Sequence, residues 1–125
     1  MNQFAVLTLA TAIAAAPLAS AAFAQAPRTP DVSAAYGNTV VSTYPDGRKA
    51  KLWIKADGTY TATGRRGKPS SGKWSVKGEK VCLKQHKPTP APFTFCTPGP
   101  AGGVGASWKA KAVTGETITV TLVRG

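Results

Sequence analysis

Carboxylates are scarce in this 125-residue chain: five Asp and Glu stand against sixteen Lys and Arg, a net charge of +11. One His and two Cys complete the groups that could serve as base, nucleophile or metal ligand. A hydrolytic triad needs a His with an acidic partner, and a zinc centre needs three or four ligands. The lone candidate base, His86, lies near Lys84 and Lys87 with no acid beside it. Asp46 and Asp57 occupy the turn sequences PDG and ADG, where Asp is favoured for backbone reasons. Glu79 and Glu116 sit in similarly tight connections, and Asp31 lies near the N-terminal end. The glycine-rich stretch Gly99–Gly105 lacks the Gly-Lys-Ser/Thr ending of a phosphate cradle. The chain is therefore expected to be non-catalytic, with no metal and no cofactor. A helical period is missing beyond the first 24 residues, which excludes an α-helical domain.

What is present begins with an address. No charge occurs from Phe4 to Ala24, and the run ends in Ala22-Phe23-Ala24, the small-x-small pattern of a signal-peptidase site. Its reliance on Ala and the break at Pro17 argue against a membrane span. Residues 1–24 are expected to be removed, giving a soluble product, periplasmic or extracellular, that keeps the full charge. No cysteine follows the apolar run to carry a lipid anchor. In an exported chain the even cysteine count points to one disulfide, Cys82–Cys96.

Residues 25–37 hold two prolines and few large apolar side chains, and read as a flexible N-terminal arm before a single domain at 38–125. From Asn38 on, short runs rich in Val, Ile, Thr and aromatics are separated by PDG, ADG, KGE and TGE turns. Eight strands are predicted, at 39–44, 49–55, 59–63, 72–77, 80–86, 92–97, 106–113 and 117–123. Alternation assigns their faces. Ala50, Leu52, Ile54, Trp74, Val76, Val81, Leu83, Phe93, Phe95, Trp108, Ala110, Ile118, Val120 and Leu122 form the expected core, while the lysines at 49, 51, 55, 73, 77, 80, 84, 109 and 111 face outward. The fold class is all-β: a small antiparallel up-and-down meander, expected to close into a lipocalin-like barrel whose large inward residues fill it.

The cysteines give a register. A hairpin centred on Thr89 sets Cys82 opposite Cys96, Leu83 opposite Phe95 and Lys84 opposite Thr94. Directly opposed residues of an antiparallel pair lie close enough to bridge. The disulfide is then expected on the outer, wet side, below the proline-rich tip KPTPAP.

The segment from Gly72 to Leu83, GKWSVKGEKVCL, resembles a G-x-W-x-V-x-G-[DE]-x-x-C signature of uncharacterised secreted bacterial small β-barrel proteins. It is more distantly similar to the periplasmic metalloprotease inhibitors. The resemblance implies an eight-stranded barrel with one disulfide and an arm, here residues 25–37, that enters a protease cleft.

Three functional readings follow. Lys51, Trp53 and Lys55 on an outer face, with Arg65, Arg66 and Lys68 in the GRRGKPS loop, interleave charge with an aromatic. Such surfaces bind anionic polymers or acidic membranes, so the first reading is a non-catalytic binder of an anionic envelope component. Nucleic acid is not expected as the physiological partner of an exported, monomeric protein. The second reading is a protease inhibitor or protein-interaction module working through the arm. The third is a lipocalin-like carrier of a small apolar ligand, which requires a cavity.

Overall fold

A computed structural model describes residues 30–125; the signal-peptide expectation at 1–24 and the start of the arm lie outside the described residues. Eight strands form one antiparallel sheet: β1 (Thr39–Thr43), β2 (Lys49–Ile54), β3 (Thr59–Thr63), β4 (Pro69–Lys77), β5 (Lys80–Lys87), β6 (Phe95–Pro98), β7 (Ser107–Lys111) and β8 (Thr117–Val123). The spatial order is β6-β5-β4-β3-β2-β1-β8-β7. The meander curls until β1 pairs with both β2 and β8, giving a nearly closed barrel. A seam remains between β6 and β7, which share no hydrogen-bonded ladder. Pro98 ends β6, and the connection to β7 carries Gly99, Pro100, Gly102, Gly103 and Gly105, residues that cannot donate to a ladder or that weaken a strand.

The inward faces follow the predicted alternation. Val40, Ile54, Val81, Ala110, Ile118, Val120 and Leu122 are buried, with Leu52, Trp74, Val76, Leu83 and Trp108 packed against them. Lys84 is half-buried, its ammonium donating to the Ala91 carbonyl, and the other eight predicted outward lysines are exposed. The hairpin register holds at Cys82↔Cys96 and Leu83↔Phe95. The ladder stops there because β6 starts at Phe95, three residues later than predicted, so Lys84 has no strand partner at Thr94. Pro92 has no N–H to give to an earlier start, and the Ala91 N–H bonds instead to the Gln85 carbonyl across the loop.

Cys82 and Cys96 are bonded, with Cα atoms 4.0 Å apart. The expected wet position is corrected for Cys82, which is 1% exposed. It lies mid-strand between β4 and β6, opposite Ser75 on one side and Cys96 on the other, and so short a side chain is covered by those neighbours. Phe93 leaves the expected core: it precedes β6 and is 51% exposed.

The glycines of the Gly72–Leu83 segment have structural duties. Gly72 sits where β4 shifts register against β5, and a Cβ there would lie 1.9 Å from the Lys84 carbonyl oxygen. Gly78 turns β4 into β5 with φ of +59°, a conformation glycine adopts without steric cost. Trp74 anchors the stretch, its indole donating to the Lys55 carbonyl at 2.7 Å.

The later half of the predicted flexible arm is packed. Val32–Ala35 form a 3-10 helix capped by Asp31, whose carboxylate accepts from Ser33 N at 3.0 Å. Val32 and Ala35 are buried, and Tyr36 lies against Trp74 with ring centroids 6.2 Å apart. Val32, Ala35 and Tyr36 thus pack against the core at the base of the barrel, and residues 32–36 are engaged there rather than free.

Candidate functional site

Antiparallel order sends the β1–β2, β3–β4, β5–β6 and β7–β8 connections to one end of the barrel, opposite the 3-10 helix. That end is open. Beneath it lies a cavity of about 320 Å³, which corrects the expectation of a filled interior. Its wall includes Val40, Leu52, Ile54, Leu83, Trp108 and Val120. The cause of the unfilled space is the small inward residues Ser42, Ala50, Ala62 and Ser70, which also line it. The cross-strand pairs Ser42↔Ala50 and Ala62↔Ser70 place them near the mouth in four successive strands. The volume is at the lower end of the range for small-molecule pockets, ~300–1,000 Å³.

Polar groups on the wall are few. Ser42, Ser70 and Gln85 gather toward the open end. Tyr60 faces the interior farther down, and its burial raises the phenol above the ordinary value of 10, so it is a neutral hydroxyl at physiological pH. The Trp108 indole N–H is buried with no acceptor among the described residues. An unmade bond of that kind costs about 1–3 kcal/mol, a concession made in the wall of the cavity rather than elsewhere in the core.

Three loops meet at the rim. Arg65, from β3–β4, donates to the Glu116 carboxylate of β7–β8 at 2.5 Å, and its guanidinium lies 4.4 Å from the ring centre of Tyr44, at the start of the β1–β2 connection. The bond to Glu116 raises the Arg65 pKa further. Glu116 is held below the usual carboxylate range, first by the Thr114 hydroxyl and then by Arg65. Arg65 therefore acts as a brace between loops.

The six residues predicted as an anionic-ligand contact are not equivalent. Lys51 and Lys55 are exposed on either side of Trp53, as alternation requires, but Trp53 is half-buried. Its indole donates to Thr39 Oγ1 at 2.9 Å, and Thr39 in turn donates to the Gly125 carbonyl at 2.8 Å. The ring is thus a tie between β2 and the first residue of β1. Arg65 is committed to Glu116. Arg66 and Lys68 are exposed and unpaired by carboxylates among the described residues.

The outer surface as a whole has a regular chemistry. Lys49 faces Thr43, Lys51 faces Thr63, Lys73 faces Thr59, Lys109 faces Thr119 and Lys111 faces Thr117. Lys109 and Lys111 donate to those threonine hydroxyls at 2.6 and 2.9 Å. Carboxylates are confined to turns and to the cap of the 3-10 helix, so the strands present cations with hydroxyl neighbours in place of anionic ones. His86 is exposed at the end of β5, and no three His, Cys, Asp or Glu side chains cluster among the described residues.

In comparisons with known proteins, no family model, no curated protein and no solved structure matches the chain. The class of protein defined by the fold is a small, nearly closed eight-stranded barrel, disulfide-stapled, with one end closed by a 3-10 helix and the other open. Its disulfide suits an oxidising compartment outside the cytoplasm. No helix among the described residues is long and apolar enough to cross a membrane.

Proposed function

We propose that the protein is a non-catalytic, exported carrier of a small, largely apolar molecule held inside the barrel. The observation that carries this reading is the open-ended cavity of about 320 Å³ walled by apolar side chains. Ser42, Ser70 and Gln85 near the mouth favour a molecule whose polar end points outward. Signal-peptide removal near Ala24 delivers the protein to the periplasm or beyond. N-phenyl-1-naphthylamine, whose fluorescence rises in apolar surroundings, tests the reading with decanoate as competitor. Saturable one-site binding is expected, displaced by decanoate and lost in Ala62→Phe and Ser42→Leu, two changes that fill the cavity from different strands. Binding that survives both substitutions in folded protein refutes it, as does the absence of binding to the native protein.

A second reading, engagement of an anionic envelope component by the basic surface, is supported by the lysine–threonine rows without carboxylates. Retention on dextran sulfate should fall steeply with added salt, because exposed charges are screened within about 10 Å at 0.1 M. Retention indifferent to salt counts against it. Arg66 and Lys68 carry this contact, with Lys51 on the strand next to their connection; Lys55 lies toward the opposite end of the barrel, and Trp53 and Arg65 hold structure.

A further inference from the structure

We propose that the open end of the barrel docks onto an anionic lipid bilayer, so that the cavity mouth faces the membrane. This rests on the second reading above and names its face and partner. Two independent features coincide at that end. Phe93 and Val113 are 51% and 60% exposed, and both line the cavity opening. They come from the β5–β6 and β7–β8 connections, on either side of the seam between β6 and β7. Val104 and Val123, the other exposed large apolar side chains among the described residues, lie toward the closed end and away from the cavity, whereas Phe93 and Val113 stand together at its mouth, as on a surface that meets something apolar.

The second feature is charge. Each of the four connections at the open end is flanked by cations: Lys49 after β1–β2, Arg66 and Lys68 in β3–β4, Lys87 before β5–β6 and Lys111 before β7–β8. The carboxylates there, Asp46 and Glu116, are already paired with Arg48 and Arg65. The five named cations have no carboxylate partner among the described residues, whereas Asp31, Asp57 and Glu79 all lie at the closed end. A ring of lysine and arginine around an aromatic and a valine fits an anionic headgroup layer over hydrocarbon. The rings and methyl groups enter the interface while ammonium groups meet phosphates. A soluble anionic polymer would satisfy the cations but leave Phe93 and Val113 in water, so the bilayer is the better match.

Co-sedimentation with vesicles tests the proposal on the mature chain. Binding is expected to vesicles of phosphatidylcholine mixed with phosphatidylglycerol and to be much weaker for phosphatidylcholine alone. Because each cation near such a surface is worth about a factor of five, Arg66→Glu with Lys68→Glu should weaken partitioning at least ~10-fold. Phe93→Asp with Val113→Asp should weaken it comparably, and these exposed positions leave the core untouched. The control, Lys77→Glu with Lys80→Glu, changes net charge equally but at the closed end, and should lose far less. Equal losses from both charge-reversed pairs overturn end-on docking while leaving a general attraction to anions. Retention on dextran sulfate without vesicle binding overturns the docking and spares the second reading; failure of both overturns each.

Discussion

Replacing both cysteines should show how far β6 depends on its staple. Cys82→Ala with Cys96→Ala is the suitable pair, because Cys82 is 1% exposed and a serine hydroxyl there would be buried. The bond spans a separation of 14 residues, and a closed loop of about 15 residues restricts the unfolded chain by about 3 kcal/mol. In a domain of this size 1 kcal/mol moves the melting temperature by roughly 4–8 °C, so the fall should be on the order of 15 °C by calorimetry. The loss should also be local. β6 is four residues long, pairs with β5 alone and carries Phe95 and Thr97 of the cavity wall. N-phenyl-1-naphthylamine binding should therefore fade in the variant at temperatures where most strands still hold. A melting point lowered by under ~3 °C, with probe binding intact, refutes the reasoning that the cross-link holds this wall.

Three further predictions concern the brace, the signature glycine and the tryptophan tie. Glu116 has its folded-state pKa depressed, so its contribution is present above the ordinary value of 4.5 and is lost as pH falls through the lower folded value; Glu116→Gln should flatten that acid limb in melting curves, and an unchanged limb contradicts the brace. Gly72→Ala forces a methyl against the Lys84 carbonyl, and should cost about 1–3 kcal/mol or more in urea unfolding. Trp53→Phe removes the donor to Thr39 and should cost about 1 kcal/mol. Its dextran sulfate retention should match the parent's, since the ring serves structure; a large loss of retention returns Trp53 to the contact surface.

Much of this architecture was legible because period-2 alternation is a local signal. Leu52, Ile54, Val120 and Leu122 could be placed inward, and the lysines outward, from spacing alone. The Cys82–Cys96 register was legible because a hairpin pairs residues symmetrically about its tip. The cavity was not, since it depends on volume summed around the barrel: Ser42, Ala62 and Ser70 are unremarkable individually and leave space only when β1, β3 and β4 bring them together. The same holds for long-range bonds. Arg65 and Glu116 are 51 residues apart, and Trp53 reaches Thr39 only because β1 pairs with β2. The 3-10 plug escaped because a single turn of Val32–Ala35 has no period to detect. Exposed Phe93 was misplaced by extending alternation through prolines that end the ladder.

Interior binding is tested most directly by methyl-resolved NMR of the native protein titrated with decanoate. Saturating shifts are predicted at Val40, Leu52, Leu83 and Val120, whose side chains wall the cavity, while Val41 and Val123, on the outer face of their strands, stay still. Shifts confined to the outer valines, or none at any concentration short of micelle formation, contradict the account.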